Sequence, residues 1–195
     1  MDAGSLMRMA RPPADTAERM HAVLPSLGLE TGGERGPAAN LHQSLSADCP
    51  ARHEPALRRA LGRIRAPAFD LVFNRVGLGD RWVLRARGIP DGFARPLAET
   101  RAVLQAEGIA CDTGHTPHVT LCYAPPFVQD GTRALASPIA WRVDAVELVV
   151  AATHPYRYRT LARQPLAPPP QSELFDAACR NRFSDRQRLQ DIPWH

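Results

Sequence analysis

Apolar and polar positions along the chain follow two periods, a strand period of two and a helical spacing of three to four residues. Residues 5–10 predict a first strand. The prolines of Arg11-Pro12-Pro13 break regular structure and end it, and such a segment is called a proline stop below. Asp15 is then predicted to cap a helix that runs to about Leu27. The next predicted elements are a strand over 41–45, a short helix over 54–64, and a hairpin of two strands over 68–76 and 81–87.

The same order of elements returns in the second half of the chain. The predicted elements there are a proline stop at 89–91, a helix over 93–107 closed by Gly108, and strands over 117–122, 139–151 and 156–162. Each half therefore contains a strand, a proline stop, a helix, a loop and a strand that carries a histidine.

Spacing indicates that the two halves are copies of one unit. The interval from Ala10 to His42 equals, to within one residue, the interval from Arg87 to His118. A duplicated β-α-β unit predicts an α+β fold of two pseudo-symmetric lobes, each a small antiparallel sheet with outer helices, around a central cleft. We expect residues 1–166 to form this bilobal domain and residues 167–195 to be a Pro- and Arg-rich appendage.

Composition and charge narrow the picture only slightly. The chain has 195 residues, of which 44% are hydrophobic, and a formal charge of +4. All of its 24 basic residues are arginine, which fits either a GC-rich genome or a preference for phosphate. Arg75, Arg81 and Arg85 lie around the predicted hairpin, either as a basic rim of the cleft or as a solvated strand edge.

Several classes of protein are excluded by missing patterns. The four cysteines form no C-x-x-C pair, no Cys/His group has zinc-site spacing, and there is no H-E-x-x-H motif. No apolar run reaches the length of a membrane span, and no signal peptide is recognisable. We therefore expect a cytoplasmic protein with free thiols, monomeric, and without a metal or another cofactor.

Two short strands carry the candidate chemistry. They read Leu41-His42-Gln43-Ser44-Leu45 and Pro117-His118-Val119-Thr120-Leu121. Because residues two apart in a strand point to one face, each histidine is predicted to share a face with a hydroxyl. The apolar neighbours point into the core, and Gln43 is unusual because it occupies one of these inward positions.

This double pairing suits phosphodiester chemistry. One neutral imidazole can accept a proton from an attacking water, while a second, protonated imidazole gives a proton to the leaving oxygen. The hydroxyls can donate hydrogen bonds to the non-bridging oxygens, where negative charge builds up in the transition state. A single H-x-[ST] motif is common in proteins, but two copies in a duplicated frame indicate a site that needs no metal.

At these residues the sequence resembles the 2H phosphoesterase superfamily, and within it the bacterial RNA 2′,3′-cyclic phosphodiesterases, also called 2′-5′ RNA ligases. That family has two H-x-[ST]-x motifs in two lobes around a cleft. The resemblance covers about residues 5–166. It includes the motif openings Asn40-Leu41-His42 and Thr116-Pro117-His118, the strand from Trp141 to Leu148, and the segment Tyr158–Leu166.

The resemblance implies a role for each site residue. His42 would be the proton donor to the leaving 3′ oxygen, and His118 the proton acceptor for water. Ser44 and Thr120 would hold the phosphate of an RNA end or a small cyclic nucleotide. The product would carry a 2′-phosphate, and the reverse reaction would be 2′-5′ joining.

Two positions depart from the family pattern. Ala47 stands where many relatives carry Phe, and Tyr123 stands where many carry an Arg that binds anionic substrate. Tyr123 can hydrogen-bond or stack on a base. Three alternatives therefore stay open: another small cyclic phosphate such as an ADP-ribose cyclic phosphate, a 2′-5′ oligonucleotide, or an RNA-end-binding module without turnover.

Overall fold

The computed structural model describes residues 5–29, 33–110, 116–153 and 156–168. These residues form two four-stranded antiparallel sheets and four α-helices. The strands are β1 (Leu6–Ala10), β2 (Gln43–Ser44), β3 (Phe69–Leu78), β4 (Trp82–Ala86), β5 (His118–Cys122), β6 (Thr132–Val143), β7 (Ala145–Thr153) and β8 (Tyr156–Pro165). The helices are α1 (Ala14–His21), α2 (Val23–Ser26), α3 (Glu54–Leu61) and α4 (Asp91–Ala106).

The sheet topology confirms the two-lobed α+β fold. The strand order is β2-β1-β7-β8 in the first sheet and β5-β4-β3-β6 in the second. In each lobe the strand of the motif, β2 or β5, is an edge strand, paired antiparallel with the strand that precedes the lobe's helix. The two edge strands, β2 and β5, lie in contact with each other, which brings both motifs to the boundary between the lobes.

Register shows how far the duplication extends. Gln43 lies opposite Ala10 in the first lobe, and Val119 lies opposite Leu84 in the second. Gln43 and Val119 hold the same place between histidine and hydroxyl, so Ala10 corresponds to Leu84. The predicted match of Ala10 with Arg87 was therefore displaced along the strand.

One hydrophobic core holds both lobes together. The predicted inward residues of the motif strands are buried, and side chains from both sheets and from the helices join them. The core includes Leu6, Leu24, Leu41, Leu45, Leu57, Leu71, Phe73, Leu84, Phe93, Val119, Leu121, Trp141 and Leu148. Because the lobes share this core, the width of the cleft is fixed by packing rather than by a linker.

The first helix is shorter than predicted. It breaks at Ala22 into α1 and α2, and Asp15 does not cap it, since Pro13 occupies the N-cap position without a side-chain hydrogen bond. The break follows from Pro25, which has no N–H and is tolerated only in the first turn of a new helix.

The predicted strand over 139–151 was wrong as a single element. It is the end of β6 and most of β7, which belong to different sheets and meet at Asp144. The core positions change parity at this crossing, from Ile139, Trp141 and Val143 in β6 to Val146 and Leu148 in β7. A β-bulge gives the same one-residue shift, so the local pattern does not identify a change of sheet.

The predicted strand over 41–45 contracts to the two residues of β2. A 3-10 turn over Ala38–Asn40 precedes it, and the backbone N–H of Leu41 donates to the carbonyl of Ala38 at 3.0 Å. After β2, the N–H groups of Leu45 and Ser46 both donate to the carbonyl of Arg8, at 2.9 and 3.3 Å. His42 therefore lies just outside the strand.

No helix among the described residues is long and apolar enough to cross a membrane. The predicted appendage, 167–195, lies outside the described residues from position 169 onward, so its separation from the bilobal domain stays a prediction.

Candidate active site

The two motif histidines lie at the boundary between the sheets, where β2 and β5 are in contact. His118 is the first residue of β5 and is half-buried. His42 is only 9% exposed, and its ring packs edge-to-face on Tyr158 of β8 with 5.1 Å between the centroids. The charge of His118 is close enough to His42 to influence its protonation. The fold therefore brings together two residues that lie far apart in the sequence.

Both imidazoles are held in the same way. The Nδ1 atom of His42 lies 2.8 Å from the carbonyl oxygen of Asn40, and Nδ1 of His118 lies 2.8 Å from that of Thr116. A carbonyl oxygen can only accept, so each Nδ1 carries the proton and donates it. This leaves Nε2 of each ring as the atom that accepts a proton when the ring is neutral and donates one when it is charged.

Burial sets the protonation of His42. Loss of hydration lowers the pKa of its imidazole below the ordinary value of 6.5, and the charges of His118 and Arg11 lower it further. The carbonyl of Asn40 and the charge of Asp48 act in the opposite direction but do not compensate. In the free protein His42 is therefore biased toward its neutral form.

The two motif hydroxyls have different surroundings. Thr120 shares its face of β5 with His118 and lines a cavity of about 210 Å³. The hydroxyl of Ser44 is directed at the sulfur of Met7, 3.9 Å away. Met7 packs against the cluster that contains Tyr158, so Ser44 and His42 lie on the same side of the first sheet. Their roles toward a phosphate stay predictions.

The cavity beside Thr120 has both aromatic and acidic walls. Tyr123 is 39% exposed there, and the guanidinium of Arg81 lies over its ring, 5.7 Å from the centroid. Glu34 also lines this cavity. The remaining lining residues are Gly36, Pro37, Asn40, Leu41 and Tyr158.

Each motif strand also has an arginine beside its histidine, which sequence reasoning missed as a pair. Arg85 lies directly opposite His118 in the β4–β5 register, so the two side chains share a face. Arg11 follows Ala10 at the end of β1, and its charge acts on His42. The pair could have been found from the sequence, because each copy of the unit has an arginine near the end of the strand that pairs with the motif strand.

The two arginines differ in their partners. Arg11 forms an ion pair with Glu147 at 2.5 Å and also donates to the hydroxyl of Thr160. Arg85 is exposed, passes over Gly77, and forms no ion pair with any carboxylate in the described ranges. A Cβ on Gly77 would lie 2.8 Å from Nε of Arg85, so the glycine makes room for this side chain.

Gln43 is the second residue whose part in the site sequence reasoning did not assign. Its side chain is fully buried, and its Oε1 accepts a hydrogen bond from the backbone N–H of His118 at 2.6 Å. Its Nε2 donates to the carbonyl oxygens of Ser44 at 2.9 Å and Thr116 at 3.3 Å. A polar residue at an inward strand position was visible in the sequence, but its partners in the other lobe were not.

Cys122 lies two residues after Thr120 on β5. Cys122 is fully buried, and burial raises the pKa of its thiol, which keeps the group protonated. Within the described ranges, no three His, Cys, Asp or Glu side chains cluster in a way that could hold a metal ion.

No protein-family model matches this sequence. No curated protein matches it either.

Solved structures do match, and they match most of the chain. A phosphoesterase aligns with a TM-score of 0.70 at 23% identity, over 84% of this chain and 99% of its own. E. coli LigT complexed with 3′-AMP aligns with a TM-score of 0.70 at 24% identity, over 84% and 98%. TT0787 of Thermus thermophilus aligns with a TM-score of 0.66 at 19% identity, over 85% and 100%. The chain therefore has the two-lobed LigT-like fold that its two motifs predicted.

Proposed function

We propose that the protein is a metal-independent phosphodiesterase that opens a 2′,3′-cyclic phosphate on an RNA end or a small nucleotide and leaves a 2′-phosphate. The observation that carries the proposal is the matched anchoring of two imidazoles, each with Nδ1 on a backbone carbonyl and Nε2 left for proton transfer. Structures of LigT with 3′-AMP and with phosphate support a ligand of this kind for the shared fold.

The first half of the proposed reaction is the attack of water on phosphorus. Nε2 of neutral His118 takes one proton from the water as its oxygen forms a bond to the phosphorus. The hydrogen bond from Nδ1 to the carbonyl of Thr116 stabilises the imidazolium that results.

The second half is the departure of the 3′ oxygen. The P–O3′ bond breaks, and Nε2–H of protonated His42 supplies the proton that makes this oxygen a hydroxyl. Because burial lowers the pKa of His42, the anionic phosphate must help to charge the ring when it binds. A 5′-hydroxyl that attacks in place of water would form a 2′-5′ linkage with the same residues.

The charge that develops on the phosphate needs donors. Ser44 and Thr120 are proposed to donate to its non-bridging oxygens, and Arg85, beside His118 and without an ion pair among the described carboxylates, is proposed as the nearby cation. Arg85 would then take the part of the arginine that Tyr123 replaces.

A second candidate substrate class is favoured by the cavity beside Thr120. Its volume of about 210 Å³ suits one small moiety, and Glu34 opposes a second phosphate there. Tyr123 can stack on a base. These features favour a small cyclic nucleotide or a short 2′-5′ oligonucleotide over a long RNA.

The test is hydrolysis of an RNA with a 2′,3′-cyclic phosphate end and of a cyclic mononucleotide, both in chelator. Wild type is compared with His42→Ala, His118→Ala and the control His53→Ala, which lies on a turn before α3. We expect a 2′-phosphate product, unaffected by chelator, and losses of about 10²–10⁴-fold for the two motif variants only.

The outcomes separate the candidates. Turnover of the mononucleotide with little RNA turnover and little dependence on salt would assign the small-substrate class. Binding of either substrate without turnover by wild type would contradict the enzyme and leave a binding module. Activity that chelator abolishes would contradict the two-histidine mechanism.

A further inference from the structure

The two edge strands that carry the motifs are joined by a side chain. Among the described residues no backbone hydrogen bond links β2 to β5, and the two strands belong to separate sheets. The amide of Gln43 spans this gap: Oε1 accepts from the N–H of His118 and Nε2 donates to the carbonyl of Thr116. One buried amide thus makes the donor and acceptor pair that a backbone ladder would make.

We propose that Gln43 is a positioning residue that couples the two histidines across the lobe boundary. It follows His42 directly in the chain and binds His118 through that residue's own backbone. This inference rests on the proposed function for its catalytic consequence, but the coupling itself is a property of the protein alone.

An amide of this length matches groups of both kinds. The N–H of His118 donates to it, while the carbonyls of Thr116 and Ser44 accept from it, so a hydrocarbon or an ionised carboxylate fails at one side or both. These partners also fix which end of the amide is oxygen, because the reversed amide would place NH₂ against the N–H of His118.

The duplicated unit supplies an internal comparison. Val119 occupies the equivalent position in the second motif and is fully buried, as a strand residue on the core normally is. In the first motif the same place holds a buried amide, which costs hydration unless it is hydrogen-bonded. The side chain of Gln43 makes three hydrogen bonds, and all three partners are backbone groups in the two motif strands or next to them.

The carbonyl of Thr116 links this amide to the imidazole. It accepts from Nε2 of Gln43 at 3.3 Å and from Nδ1 of His118 at 2.8 Å. Removal of the amide therefore releases the group that orients the ring of His118. Because a small misplacement of a catalytic group can cost about 10²-fold in rate, the effect should appear in kcat more than in KM.

The experiment compares Gln43→Met, which keeps the length and loses the hydrogen bonds, with Gln43→Glu, and uses Val119→Ile as the matched control in the other copy. Two kinds of measurement are made. The first gives kcat and KM on the cyclic substrate over pH, and the second, without substrate, gives the NMR signals of the His118 ring and the exchange of its Nδ1 proton.

We expect Gln43→Met to lower kcat by about 10–100-fold with KM within about twofold, and to speed exchange of the His118 Nδ1 proton. Gln43→Glu should lie closer to wild type at acid pH, where a protonated carboxyl again offers a donor to Thr116. Val119→Ile should leave the His118 ring signals unchanged.

Two results would overturn the proposal. One is a folded Gln43→Met with wild-type kcat, and the other is a His118 ring whose signals and proton exchange do not respond to either Gln43 variant. If wild type has no turnover at all, the proposed function fails, and the proton exchange of His118 still decides whether Gln43 positions it. If Gln43→Met does not fold, Gln43→Glu is judged on the same signals.

Discussion

The ring of His42 meets the ring of Tyr158 edge to face, at 5.1 Å and an interplanar angle of 78°. Tyr158 is 9% exposed and belongs to a small apolar cluster with Met9 and Val149 on the first sheet. This contact shields the imidazole from water on one side. The desolvation that lowers the pKa of His42 therefore depends on a residue more than a hundred positions away in the chain.

Tyr158→Ala should raise the pKa of His42 toward its ordinary value. The change admits water beside the imidazole and reduces the cost of charging it. An NMR titration of the His42 ring in the free protein measures the shift. Tyr123→Ala, which removes a half-exposed tyrosine of the neighbouring cavity, is the control and should leave this titration in place. An unchanged pKa in Tyr158→Ala would show that other contacts dominate the burial.

His42 should also make the stability of the protein depend on pH. Its pKa is lower in the folded chain than in the unfolded chain, so the unfolded state binds the proton first as pH falls. The contribution is fully present above about pH 6.5 and is lost as pH falls toward the lowered pKa. The free energy of unfolding, measured at about pH 8 and about pH 5, should fall less for His42→Gln than for wild type. His53→Gln serves as the control, and equal losses in His42→Gln and wild type would contradict the prediction.

Substrates with different leaving groups should distinguish the proton donor, His42, from the proton acceptor, His118. A p-nitrophenyl phosphodiester releases a weakly basic oxygen that needs no proton, whereas the 3′ oxygen of a ribose does. His42→Ala should therefore lose about 10²–10⁴-fold on the cyclic phosphate and much less on the p-nitrophenyl ester. His118→Ala should lose activity on both substrates. The opposite pattern would exchange the acid and the base.

Arg85 and Arg11 should respond differently to the same substitution. Arg85→Gln removes a cation that has no carboxylate partner in the described ranges, so KM should rise several-fold and the salt dependence of binding should weaken. Its free energy of unfolding should stay near that of wild type. Kinetics at two salt concentrations test this, with Arg87→Gln, two residues further along the chain, as the control.

Arg11→Gln should destabilise the protein instead. It removes the shorter of the two arginine contacts that the described residues make to the carboxylate of Glu147, whose side chain is 13% exposed, and leaves only Arg163 at 3.9 Å. Loss of a charged partner at a mostly buried acceptor costs about 1–2 kcal/mol, readable by chemical denaturation. A stable Arg11→Gln with a KM like that of Arg85→Gln would show that both arginines bind substrate.

Much of the fold could be predicted from the local pattern of apolar and polar residues. The proline stops, the helix closed by Gly108 and the strand that begins at His118 are short-range features, because capping, turn chemistry and alternation act over a few residues. The crossing at Asp144 was missed, although the core positions shift by one residue there, from Val143 to Val146. A bulge within one strand gives the same shift, so only the pairing of the two strands with different sheets identifies the crossing.

The sequence by itself determined the two-lobed fold, and it placed a histidine two residues before a hydroxyl residue in each copy of the unit. Both follow from residue types and their spacing, which the sequence gives directly. The tertiary structure alone decided which partners complete the site. Tyr158 packs against His42, Glu147 pairs with Arg11 while Arg85 has no carboxylate partner in the described ranges, and Gln43 reaches the backbone of His118. These contacts join residues from different sheets, and their distances follow from the packing of one shared core, which no local pattern encodes.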